Sequence, residues 1–185
     1  MARPDGDARS DGELVAAARR GDRGALDALY QRHSAWVLRA ARRFAGDETD
    51  ALDVHQEVFL YLVRRLPTLT LTVRLTTLLY PAIRSRGLRA RERREREVTG
   101  GDHIERATDA PIEARPSGRQ LADAVRALPE GQREAILLRF VDGLSVEATA
   151  EAMGVPEGTV KSRVHHGLAA LREDPRARSY FLDED

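Results

Sequence analysis

Apolar residues in this chain recur mostly three and four positions apart, the spacing of one helical face, and seldom alternate. The pattern predicts a first helix from about Glu13, capped by Asp11 and Gly12 and ended by Gly21. A second runs from Asp22 to Phe44 and stops at "AGDETD". A third starts near Asp50 and reaches Leu66, where Pro67 ends it. The stretch "PTLTLTVRLTTLL" alternates Thr and Leu as a strand would. A lone strand has no partner for its backbone, so this stretch is read as a loop leading into a helix. Helical spacing resumes at Leu121, Val125 and Leu128, breaks at Pro129 and continues through "REAILLRFVDGL". Ser145 is then a good N-cap, with Ala150 and Met153 facing inward. Gly154 suits a helix C-terminus, and Pro156 suits the first turn of the next helix. A short helix, a tight glycine turn and a longer helix make a helix-turn-helix.

Between the two helical stretches, "VTGGDHIERATDAPIEARPSG" has Gly, Pro and Thr with little periodicity and reads as a flexible linker. The predicted fold class is therefore all-α: two small helical domains, at 11–97 and 119–174, joined by a linker at 98–118. Polar tails occupy 1–10 and 175–185.

Composition narrows the chemistry. The chain has 185 residues, 42% hydrophobic and 32% charged, with a net charge of +0, so any attraction to nucleic acid must come from local patches. It has no cysteine, which removes disulfides, thiolate metal sites and a thiol nucleophile. No stretch approaches the ~20 apolar residues of a membrane span, and the start lacks the apolar core of a signal peptide. The expectation is a soluble, cytoplasmic protein. No phosphate-binding loop, nucleophile elbow or zinc-protease motif is present, and no cofactor or enzymatic activity is expected. His165 and His166 are adjacent and cannot form an i,i+4 metal pair. His55 falls on the apolar face of its helix, as a core histidine does.

The last helix carries the clearest chemistry. Projected at about 100° per residue, Val160, Val164, Leu168 and Leu171 fall within about a quarter of its circumference. Gly158, Thr159, Ser162 and His166 lie opposite, flanked by Lys161, the only lysine of the chain, and by Arg163. Small hydrogen-bonding residues with cations at both edges suit a helix in a major groove, its centre toward base edges and its edges toward phosphates.

"LPEGQREAILLRFVDGLSVEATAEAMGVPEGTVKSRVHHGLAALRE" resembles the C-terminal promoter-reading domain of bacterial RNA polymerase sigma factors of the extracytoplasmic-function type. Leu128-Pro129, Arg133, Gly143-Leu144-Ser145 and the run "GTVKSR" carry the resemblance. It implies −35 element contacts from Pro156, Gly158, Thr159, Lys161, Ser162, Arg163 and His166. Response regulators have similar tails, so the N-terminal half decides. There, "DVHQEVF" resembles the sigma segment that docks on the polymerase. Asp53, Gln56, Glu57, Leu60 and Arg64 share one helical face, an apolar contact rimmed by hydrogen-bonding groups. Val54, Val58, Phe59, Leu62, Val63 and Leu66 share the other.

The chain departs from the family where an aromatic-rich segment close to "FRAWLYRIARNRALD" is usual and "VRLTTLLYPAIRSRGLR" stands instead. Leu78 replaces the tryptophan, Ser85 the Asn and Arg89 the Asp, and Pro81 is expected to kink or restart the helix. The resemblance assigns −10 contacts to Thr68, Thr70, Arg74, Tyr80, Arg84, Ser85, Arg86, Arg89 and Arg91, with Tyr80 the only aromatic among them. The implied partners are core RNA polymerase, through its β′ clamp helices and β flap, and promoter DNA. An anti-sigma factor that masks the protein is a further family expectation. The alternative, motivated by these departures, is a sigma-derived regulator that binds DNA without opening promoters.

Overall fold

The computed structural model describes residues 7–98 and 118–181, and every regular element among them is helical. The chain divides into two compact units, Met1–Ala110 and Pro111–Asp185. Most of the sequence-drawn linker, residues 99–117, lies outside the described residues.

In the N-terminal unit, α1 is Asp11–Arg19, α2 Arg23–Arg42, α3 Glu48–Arg65 and α4 Leu75–Val98. Side chains that occupy orphan backbone N–H groups set each of the first three starts. Ser10, rather than Asp11, caps α1 in a capping box. The Glu13 amide donates to Ser10 Oγ at 3.3 Å, and the Ser10 amide donates to Glu13 Oε2 at 2.7 Å. Asp22 accepts from the Ala25 amide at 3.1 Å, and Asp47 from the Asp50 amide at 2.8 Å.

The helices bury Leu14, Leu29, Val37, Val58, Leu62, Leu75, Leu79 and Ile83, each worth ~1.5–3 kcal/mol relative to exposure. After α3, a 3₁₀ turn at Leu66–Thr68 leads through a loop into α4, as the Thr/Leu stretch was read. α4 runs unbroken through Pro81, so the helix does not restart there. Pro81 lies in the second turn and is exposed, so its ring faces solvent. α4 also passes very close to the end of α2. A Cβ on Gly87 would stand 2.5 Å from Phe44 Cβ, so only glycine allows the approach.

In the C-terminal unit, α5 is Gly118–Ala127, α6 Glu130–Ile136, α7 Val146–Met153 and α8 Glu157–Glu173. The core joins Ala124, Val125 and Leu128 to Ile136 and Leu171, with Val164 and Leu168 packed on it. Residues beyond 174 are not merely a polar tail: Ala177 is fully buried and Phe181 packs on the same cluster. α6 continues as a π-helical turn, Leu137–Val141, where the Asp142 amide donates to Leu137 O at 3.0 Å. Ser145 caps α7 by accepting from the Ala148 amide at 3.0 Å. Gly154 ends it with φ +66°, a left-handed conformation that side chains rarely adopt. Pro156 is the N-cap of α8 rather than part of its first turn.

Candidate nucleic-acid interface

In the C-terminal unit, the helix-turn-helix of α7 and α8 holds α8 by Val160 and Leu171, which are buried, and turns its other side to solvent. Gly158, Ser162 and His166 are exposed and Thr159 is half-buried, so the projected outer face forms as expected. Ser162 Oγ and His166 Nδ1 lie 3.4 Å apart, and the His165 and His166 rings meet edge-on with centroids 5.5 Å apart. The two flanking cations behave differently. Lys161 projects into solvent, 3.5 Å from Glu157 one turn earlier. Arg163 is half-buried and folds back onto α6, where a Cβ on Gly131 would lie 3.0 Å from its Cζ. The wheel puts both at the edge of the face, but only Lys161 stands free of the protein body.

In the N-terminal unit, Asp53, Gln56, Glu57, Leu60 and Arg64 are all exposed along α3, with Leu60 at 53%. Leu52 is exposed beside them. Val63, assigned to the apolar face, is also exposed: it lies at the edge of that face near Leu52, about 100° round the helix from the buried Leu62. His55 is buried as expected: its Nε2 lies 2.9 Å from Ser34 Oγ and its ring meets Phe59. Burial holds its pKa below the ordinary value.

The −10 candidates separate. Thr68, Thr70, Arg74, Ser85, Arg89 and Arg91 are exposed, and Arg84 and Arg86 are half-buried. Tyr80 is not available: it is 1% exposed and packs edge-on against Phe44 at 5.8 Å. Its place on the inner side of α4, between Leu79 and Ile83, makes it a core residue, so its assignment as a DNA contact is corrected. Many of the arginines of α4 are engaged by carboxylates. Arg91 pairs with Glu95 at 2.7 Å, and Arg93 lies 3.6 Å from Asp50. Arg94 pairs with Asp47 and with Asp50. Arg86 Nε sits 3.4 Å from Glu57 Oε2, which joins a −10 candidate to a docking candidate. Those two residues help line a groove of about 450 Å³ between α3 and α4, with Asp53 on one side and Arg89 and Arg93 on the other.

Sequence reasoning missed two exposed apolar residues and one half-buried aromatic. Phe140 and Val141 stand out from the π-helical turn, 58% and 60% exposed. Phe140 lies two residues, about 200° of helix, past the fully buried Leu138 and so faces away from the core. Tyr61, at the end of α3, is half-buried with two arginines at its ring. No group of metal-ligating side chains occurs among the described residues, and no helix there is long and apolar enough to cross a membrane.

Two family models match: Sigma-70 region 2 over residues 29–97, and Sigma-70, region 4 over residues 118–171. The RNA polymerase sigma-H factor of Pseudomonas aeruginosa is 34% identical over 181 residues, covering 87% of this chain and 91% of that protein. The ECF RNA polymerase sigma factor BldN of Streptomyces coelicolor is 32% identical over 167 residues, 86% of this chain. The chain belongs to the extracytoplasmic-function (ECF) sigma factors. It spans 63% of the length of BldN. The structure of CnrH in complex with the cytosolic domain of CnrY has the same fold, with a TM-score of 0.63 at 23% identity over 94% of this chain and 98% of that one. In this ECF sigma factor, the region 4 match starts with α5 and ends at Leu171, two residues short of the end of α8. The region 2 match takes in α3, the groove beside it and α4.

Proposed function

We propose that this chain directs core RNA polymerase to specific promoters, catalysing no chemistry of its own and acting where the polymerase acts, in the cytoplasm. The exposed face of α8 carries the reading. A helix held by Val160 and Leu171 that offers Gly158, Thr159, Ser162 and His166 outward, with Lys161 at its edge, is built to enter a major groove. Thr159, Ser162 and His166 address base edges of the −35 element, and Lys161 addresses phosphate. Pro156 and Gly158 keep the entry to the helix slim, and Arg163 braces α8 on α6 at the rim. The face of Asp53, Gln56, Glu57, Leu60 and Arg64 docks on the β′ clamp helices, and the apolar Phe140–Val141 pair suits contact with the β flap. Thr68, Thr70, Arg74, Arg84, Ser85, Arg86, Arg89 and Arg91 engage the −10 strand, which Tyr80 cannot reach.

The same burial of Tyr80, in the segment that departs from the family, favours one competing reading: a regulator that binds DNA without melting it. Run-off transcription separates the two. Purified chain is mixed with core polymerase on genomic fragments, and discrete transcripts that depend on the chain are expected. DNA binding without a transcript from any fragment overturns the sigma reading and establishes the regulator.

A further inference from the structure

Proteins that hold an unpaired strand combine an aromatic face with cations along the backbone. Tyr80, the aromatic the sequence offered on α4, is sealed against Phe44. Tyr61 is the aromatic that the structure supplies beside one of the same arginines, Arg86. It lies in the last turn of α3, half-buried. The Arg86 guanidinium of α4 stands 5.0 Å from its ring centroid, and that of Arg65 stands 5.7 Å away.

The two cations are held differently. Arg86 is fixed from both ends: its Nε faces Glu57 Oε2 at 3.4 Å and its Nη1 donates to Ala82 O at 3.3 Å. Arg65 is exposed, and its one side-chain hydrogen bond shown is a long one, from Nη1 to the Tyr61 hydroxyl at 3.3 Å. The threonine loop begins beside them, because the Thr68 hydroxyl donates to Arg65 O at 3.4 Å. On the α3 wheel, Tyr61 lies off the Asp53–Leu60–Arg64 stripe, on the side that meets α4.

We infer that Tyr61 is a stacking platform for an unpaired nucleobase of the opened promoter strand, with Arg86 as its fixed cation and Arg65 as its exchangeable one. The inference rests on the sigma reading above. A base reaching the ring takes the place of the Arg65 guanidinium, which swings to a neighbouring phosphate. Arg65 gives up a loose contact, the base gains a stacking surface, and the phosphate gains a counter-charge. Thr68 and Thr70 then follow the strand away from the ring.

The test uses holoenzyme on a promoter recovered from the run-off experiment. 2-Aminopurine is placed at each position of the −10 non-template strand in turn, and fluorescence and open-complex yield are read together. With the wild-type chain, one position stays quenched after opening, because its base is stacked. Tyr61→Leu, which keeps apolar bulk and removes the ring, should brighten that position and lower the yield roughly five- to a hundredfold. Tyr61→Phe should keep both signals near wild type. Unchanged yield and no brightened position in Tyr61→Leu overturn the inference while leaving the sigma reading intact. Loss of core-polymerase affinity in Tyr61→Leu, measured without DNA, also overturns it and moves Tyr61 to the docking surface. If the wild-type chain opens no promoter, both readings fall.

Discussion

The two basic helices of this protein, α4 and α8, invite the same reading from composition and behave differently in the structure. α8 spends one side on the core and leaves the other to solvent, so its polar residues stand where the wheel puts them. α4 is richer in arginine, yet Arg86, Arg91, Arg93 and Arg94 all face carboxylates of their own chain. A count of cations therefore overstates what α4 can offer a phosphate. The Arg91–Glu95 pair is exposed on both sides and contributes little, ~0–1 kcal/mol, so DNA can compete for Arg91, whereas Arg93 and Arg94 hold the buried Asp50 and are less easily released. The comparison teaches that what a helix can offer a phosphate depends on how firmly its cations are held. On α8, Lys161 has only a contact with Glu157, exposed on both sides, to give up, whereas Arg93 and Arg94 of α4 hold a buried carboxylate.

The sharpest way to break the comparison is Tyr80→Ala. If α4 presented Tyr80 to DNA, the variant would fold normally and lose promoter opening. The buried ring instead predicts a loss of ~3–5 kcal/mol of unfolding free energy, read by urea titration. Gly87→Ala probes the same helix from its packing side. The added methyl meets the rigid Cβ of Phe44, so stability should fall by ~1–3 kcal/mol.

On α8 the opposite outcome is expected. Thr159→Ala, Ser162→Ala and His166→Ala should leave the melting curve in place. Each should cost ~1–3 kcal/mol of discrimination between the cognate −35 element and a variant of it, in competition binding by holoenzyme. The flanking cations give a finer contrast. Lys161→Ala should weaken binding to all sequences and reduce the slope of log affinity against log salt by ~1. Arg163→Ala should leave that slope unchanged and lower the stability of the C-terminal unit, because its guanidinium lies on α6.

The smallest expected effect is a pH dependence confined to the N-terminal unit. His55 is buried and its folded pKa lies below the ordinary 6.5, so folding favours its neutral form. The stability this gives is complete above about pH 6.5 and is lost as pH falls through the folded value. Thermal melts between pH 7.5 and 5.5 should show a decline that His55→Phe flattens, and an equal decline in both proteins sinks the assignment.

Much of the fold was legible because its signals are local. The cap at Ser145, stops at Pro67 and Gly154, and the 3.6-residue spacing of Val160, Val164 and Leu168 each act within a turn or two of chain. The exposure of the candidate faces was legible to the extent that they follow one helix wheel, as the α3 stripe and the α8 face do. What escaped was set by neighbours distant in sequence. Tyr80 is buried because Phe44 packs across it, and Arg163 is drawn onto α6 beside Gly131.

The sequence by itself determined an all-helical chain, a helix-turn-helix near its end, and which residues α8 turns outward, since these depend on periodicity and capping within short stretches. Only the tertiary structure decided which cations and aromatics are available. Packing α4 across α2 and α3 seals Tyr80 against Phe44 and brings Arg86 to Glu57 and to Tyr61. The physical reason is that burial and ion pairing are properties of what lies across the interface, and a helix wheel records only the helix.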